Sequence, residues 1–185
     1  MVEILTNEVR GGGSACNLGI DMKRLDPDIP VSTIGLIGDD EDGRILMAEA
    51  DAAGIERSGL VIAETGSTSH TDAFTTADTG RRTHLYLSGT AAKLSPDHFD
   101  FSTVNARILH LGLPGIHAAM DGAWGDDANG WVTVLKKAQA VGIATNLELC
   151  SVPVELIAQI VRPCLAHLDL LVVNDFEIAA IAGKD

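Results

Sequence analysis

Stretches with helical spacing and stretches with strand character follow one another along this chain, and that alternation constrains the fold more than any other feature. Strands joined through crossover helices build parallel sheets, because a parallel pair cannot be closed by a tight turn. Leu18, Met22 and Leu25 recur at helical intervals within Ser14 to Leu25, and Val31 to Ile37 then reads as a buried strand ending at Gly38. Glu41 to Ala53 is rich in Ala, Leu, Met and Glu and reads as a helix that stops at Gly54, a residue suited to the left-handed turn of a helix end. From Arg107 the rhythm resumes. Strands are expected at Ile108 to Leu113, Ile143 to Leu147 and Leu170 to Val173, with helices near Gly130 to Ala140, at Val154 to Leu165 and from Asp175.

Leu60 to Leu87 breaks this rhythm. Thr68, Thr71, Phe74, Thr75, Thr76, Thr83 and Tyr86 favour strands, and Asp78-Thr79-Gly80 suits a hairpin turn, so an antiparallel flap is expected beside the main sheet. The expected division is an α/β domain opening over residues 1–59, the flap over 60–90, and the same α/β domain continuing over 91–185. With 185 residues, 46% of them hydrophobic, the chain can bury one core.

A formal net charge of -13 opposes binding to phosphate backbones or anionic lipid, so nucleic acid and membrane surfaces are excluded as partners and a small molecule is expected. MVEILTNEVR lacks a basic leader and an apolar core, which predicts a cytoplasmic protein. Cys16, Cys150 and Cys164 form no Cys-x-x-Cys pair and read as free thiols.

Ligands of open parallel α/β sheets collect beyond the carboxyl ends of the strands, where helix N-termini present free N–H groups. Four stretches fall there: Gly38-Asp39-Asp40, Gly112 to Gly115, the pair Asn146 and Glu148, and Asn174 to Glu177; Gly11-Gly12-Gly13, just before the first helix, joins them because it lacks β-carbons. The glycines form neither a Walker A loop nor a dinucleotide fingerprint. They read either as a flexible turn into a helix or as a place where a ligand hydroxyl reaches the main chain, with Asn17 able to donate and accept one turn on. Asn174 and Glu177 read either as a helix cap with its capping-box Glu or as a site for a hydrated Mg²⁺ on nucleotide phosphates. The six histidines show no zinc spacing, and Ser14 has no evident His and Asp partners for a hydrolase triad.

Four of these motifs, in order, resemble the ribokinase-like (PfkB) carbohydrate kinases. GGGSACN at Gly11 to Asn17 is similar to the family's first signature, and STIGLIGDDEDG at Ser32 to Gly43 to its strand and acidic Gly loop. TADTGRRTHLYLSGTAAKL at Thr76 to Leu94 is similar to its second lid hairpin, and VVNDFEIAAIAG at Val172 to Gly183 to its Asn-x-x-Glu element. The resemblance implies a ribokinase-like α/β fold with a small antiparallel lid, ATP and Mg²⁺ as cofactors, and a sugar or nucleoside as the phosphoryl acceptor. It implies that Gly12, Gly13 and Asn17 hold substrate hydroxyls, that Asn174 and Glu177 organise Mg²⁺ and phosphates, with Glu177 reaching the metal through water, and that Asn146 supports them. The lid would close over the sugar and contribute to a homodimer.

Two family elements have no counterpart here: an opening strand with a substrate-binding Asp, and the Gly-Ala-Gly-Asp motif that supplies the anion hole and the catalytic base. The catalytic residue is therefore unknown within this sequence, and the chain reads as an incomplete kinase, inactive alone, that starts too late and stops too early. A non-catalytic sugar- or nucleoside-binding paralogue and an adenosine-like kinase are the alternatives; a Rossmann-like oxidoreductase has no fingerprint behind it.

Overall fold

The computed structural model describes residues 3–150 and 152–183. Chain order is α1 (Ser14–Leu25), β1 (Ser32–Ile37), α2 (Glu41–Ala53), β2 (Glu56–Ile62), β3 (His70–Thr75), β4 (Arg82–Leu87), β5 (Ile108–Leu111), α3 (Ala118–Asp121), α4 (Gly130–Ala140), β6 (Ala144–Glu148), α5 (Val154–Val161), β7 (Leu170–Val172) and α6 (Asp175–Ala182). The expected α/β architecture is present, with parallel strands, intervening helices and a small antiparallel pair. No helix among the described residues is long and apolar enough to cross a membrane.

Local chemistry accounts for the helix ends. Asp40 caps α2 by accepting from the Gly43 N–H at 2.9 Å, and Asn129 caps α4 through Val132 N–H at 3.0 Å. Gly54 takes φ 69° at the end of α2 and Gly183 φ 66° at the end of α6. α1 has no side-chain cap at Gly13, a point that matters below.

The strands form two parallel ladders. β1 pairs with β2, and β5, β6 and β7 form a three-stranded sheet in that order. Its register sets His110 beside Asn146 and Glu148 beside Val172. The core lies against this sheet: α4 contributes Trp131, Val132, Val134, Leu135 and Ala138, which pack with Leu111, Leu147, Met120 and Ile157. Fully burying such a side chain contributes about 1.5–3 kcal/mol, so α4 is the main anchor of the fold. Trp131 lies at the centre of the core, where Asp121 Oδ1 takes its indole N–H at 2.8 Å and removes the cost of burying it.

The antiparallel pair is narrower than the sequence predicts. Leu60 to Ile62 run parallel to β1, and only β3 and β4 form the hairpin, in register from His70 opposite Leu87 to Thr75 opposite Arg82. Sequence composition cannot reveal this, since strand-favouring residues do not say which neighbour they pair with. Every residue of β3 and β4 is exposed. An isolated hairpin is marginal in water, so its two roots are fixed to the body instead. Thr68 accepts from Gly38 N–H at 2.8 Å and donates to Asp40 at 2.6 Å, while Thr90 donates to the Leu36 carbonyl at 2.7 Å. Both threonines are fully buried. The Thr68 hydroxyl, followed by the Gly43 N–H, holds the Asp40 carboxyl below the usual carboxylate range.

Candidate functional site

The carboxyl edge of β5, β6 and β7 faces the start of α1, and the glycine loop is held there from two sides. On one side Gly11 N–H donates to Glu49 Oε2 of α2 at 3.0 Å, and a β-carbon at Gly11 would lie 2.3 Å from that oxygen. On the other side Ser14 reaches the sheet. Between these anchors Gly12 and Gly13 are exposed, and a β-carbon on either would meet nothing within 4 Å. Gly13 has φ 82° and ψ 167°, a conformation open essentially to glycine alone. Packing therefore does not demand glycine at Gly12. The exposed Asn17 stands three residues after Ser14 on the same side of α1, and its amide makes no hydrogen bond among the described residues.

Ser14 has the partners that the sequence does not reveal. Its hydroxyl hydrogen-bonds Glu148 Oε2 at the end of β6 and lies 2.7 Å from His110 Nε2 on β5. His110 Nε2 is also 2.7 Å from Glu148 Oε2, and Asn146 Nδ2 is 2.7 Å from His110 Nδ1. Gly112 makes room for this meeting, since a β-carbon there would press on Ser14 Oγ at 3.3 Å and the Glu148 carbonyl at 3.1 Å. The expectation that Ser14 lacks a His and a carboxylate is thus corrected.

The arrangement is nevertheless not a hydrolase triad. A triad needs the hydroxyl and the carboxylate on opposite ring nitrogens, so that the imidazole can pass a proton between them. Here both crowd Nε2, and Nδ1 is occupied by the Asn146 amide. With Asn146 donating to Nδ1, the ring proton is on Nε2 and no lone pair is left to take the Ser14 proton. The cluster is a clamp that ties the helix start to the sheet through one carboxylate oxygen.

Asn174 and Glu177 lie beyond β7 on the same edge. Asn174 Oδ1 accepts from Glu177 N–H at 2.8 Å, and Glu177 Oε2 accepts from Asn174 N–H at 3.1 Å, so the capping box is fully formed. Glu177 is only 5% exposed. Cys150 lies between the two ends of the site: burial, then the carboxylates of Glu177, Asp121 and Glu148, push its thiol up to about 11. The hairpin approaches the same edge. Tyr86 directs its hydroxyl at the Ile116 carbonyl, 3.4 Å away, and burial, then Cys150 and Asp121, raise its pKa.

Asn146 lies beneath His110 and is 8% exposed, with Oδ1 lacking any hydrogen-bond partner among the described residues. Asp39 to Asp42 start α2 rather than gathering as metal ligands, with Asp40 engaged by Gly43 and Thr68. Two surface recesses of about 340 Å³ each, one lined by Leu36, Val61, Ile62, Lys93 and His98 and one by Gln139, Ile143 and Asp169, contain none of the candidate residues. The candidate site is an open sheet edge. The sequence places Glu148 at this edge with Asn146, two residues away on one face of a strand, but not its meeting with Ser14 and His110.

Comparison with known proteins gives a consistent answer. The profile described as pfkB family carbohydrate kinase matches residues 2–185. A curated relative, the ATP-dependent ribose-1-phosphate kinase of Halopiger xanaduensis, is 30% identical over 102 residues, 55% of this chain and 33% of its own. Among solved structures, fructokinase with bound ATP from Xylella fastidiosa superposes with a TM-score of 0.73 at 21% identity, over 94% of this chain and 56% of its own. Adenosine kinase from Sinorhizobium meliloti gives a TM-score of 0.74 at 17% identity, over 94% of this chain and 52% of its own. The chain thus spans about half the length of these structures and a third of the curated relative.

Proposed function

The chain belongs to the pfkB family of carbohydrate kinases, and from that premise we propose that it forms the acceptor side of a kinase that transfers phosphate from ATP to a hydroxyl of a sugar or nucleoside. The observation that carries this reading is the open glycine turn. The exposed main chain at Gly12, the Gly13 N–H and the unengaged Asn17 amide offer hydrogen bonds with no partner among the described residues, at the edge where α/β sheets bind ligands; only the Gly13 carbonyl is taken, by the Asn17 N–H at 3.0 Å. A sugar hydroxyl, both donor and acceptor, suits such a surface.

Asn174 and Glu177 form the phosphate side. Glu177 keeps Oε1 free of the capping box, and one carboxylate oxygen suits a magnesium ion that retains most of its waters. Magnesium would neutralise the charge on the phosphoryl group that ATP supplies. Asn146 supports the site by fixing the His110 ring. The hairpin acts as a lid set off from the α/β domain, with Tyr86 on the side of the body. Phe74, Leu85 and Leu87 share its other face, which suits a second copy of the chain. The free thiols suit the cytoplasm.

Among the described residues none is assigned the role of base, and we expect the 185-residue chain to bind its acceptor without turning it over. Calorimetric titration with D-ribose, D-fructose and adenosine, paired with an ADP-release assay in MgATP, tests this. Saturable binding of one compound with no ADP release is expected. ADP release dependent on that compound would overturn the division into an acceptor side alone, and binding of none would overturn the sugar or nucleoside reading.

A further inference from the structure

We propose that Glu148 is a specificity-determining residue whose second carboxylate oxygen accepts a hydroxyl of the bound sugar. The proposal rests on the sugar-binding reading of the glycine loop given above. Oε2 of Glu148 receives the Ser14 hydroxyl and the His110 Nε2–H, and these two donors fix the carboxylate. Oε1 receives no hydrogen bond from the described residues, and the side chain is 42% exposed. A tie between α1 and the sheet requires only the first oxygen. The second is held in place beside an open loop with nothing from the protein to accept.

A second observation has the same sign. Asn146, two residues earlier on the same face of β6, is 8% exposed, yet its Oδ1 has no donor among the described residues. Leaving a buried acceptor unpaired is unfavourable, and native structures rarely tolerate it without a reason. This edge of the sheet is therefore rich in acceptors and poor in donors. An ionised carboxylate only accepts, and a polyol carries several O–H donors on adjacent carbons. The ligand chemistry that answers the open Glu148 oxygen is a run of neighbouring hydroxyls, one accepted by Glu148 while its neighbours engage Gly12, Gly13 and Asn17; the buried Asn146 Oδ1 lies beneath His110 and is not reached by it.

The substitution E148Q isolates this role. The glutamine carbonyl oxygen can still accept from Ser14 and His110, so the clamp is retained, while the second atom turns from acceptor to donor. Calorimetric titration of the full chain with D-ribose, D-fructose and adenosine is compared for the unaltered protein, N17A and E148Q. The expected result is a loss of affinity of about tenfold or more in E148Q for whichever probe binds, with the thermal midpoint moved by less than about 2 °C. Affinity lost in N17A but changed less than twofold in E148Q would overturn the assignment of Glu148 and leave the sugar-binding reading standing. Binding of no probe, or undiminished binding in N17A, would overturn the reading and this proposal with it. If E148Q no longer melts cooperatively, E148D replaces it, since it keeps the charge but withdraws it by one methylene; unchanged affinity in E148D overturns the proposal.

Discussion

At the glycine loop, a β-carbon on Gly12 or Gly13 would meet nothing and the Asn17 side-chain amide bonds to nothing among the described residues, whereas at the start of α6 each of Asn174 and Glu177 satisfies the other. Both segments open a helix at the sheet edge and both match a motif, yet one leaves its polar groups open and the other closes them. The difference separates two meanings of a motif. A closed capping box stabilises the chain whether or not a ligand arrives, while an open loop gains nothing until one does.

The contrast is sharpest in stability. Removing both members of the capping box in N174A/E177A should destabilise the fold by about 2–3 kcal/mol, the sum of a lost cap and an unpaired N–H. Urea denaturation measures it, and a loss under about 0.5 kcal/mol would erase the distinction drawn here. G13A should cost about 1–2 kcal/mol in the same assay, because alanine is strained at φ 82° and ψ 167°. G12A and N17A should each lie within about 0.5 kcal/mol of the unaltered protein, since a β-carbon at Gly12 meets nothing and the Asn17 side chain makes no hydrogen bond among the described residues.

Cys150 reads both ends at once. Its thiol is raised first by burial and then by Glu177, Asp121 and Glu148, in that order. E177Q should therefore bring its pKa down from about 11 by more than E148Q does, as followed by the pH dependence of its reaction with a disulfide reagent. A raised thiol pKa also links to stability. The stabilisation from protonated Cys150 and Cys164 is complete below the ordinary thiol value of 9.0 and is lost as pH rises toward about 11 and about 12. Denaturation midpoints should fall across that window, and the smallest change in the series is the part of the decline that C150A removes.

How much of this could be read in advance follows the range of the interactions. Ser14–Leu25, Glu41–Ala53 and Gly130–Ala140 match their predicted bounds, and for the latter two the cause is local: Asp40 begins and Gly54 ends one helix and Asn129 begins the other, each within one turn. Strand ends move by a residue or two, and β2 was absorbed into the flap, because a strand's extent depends on a partner that the local sequence does not name. The candidate site divides in the same way. Gly12, Gly13 and Asn17 are neighbours in sequence, so their grouping needs no tertiary contact, whatever role they take. Ser14 meets His110 across 96 residues and Glu148 across 134, and only the register of β5 and β6 brings the three together.

One hydrogen bond at the base of the hairpin has a wider consequence. Thr90 N–H reaches the Ser67 carbonyl at 2.8 Å, so the chain leaves for the hairpin and returns from it at a single point. Beyond the buried Thr68, the exposed stretch from His70 to Leu87 can lengthen, shorten or be exchanged without moving β1 or the helices around it. For a lineage this makes the hairpin a replaceable cassette, in which a new acceptor preference or a new subunit contact can evolve while the rest of the molecule stays under unchanged selection.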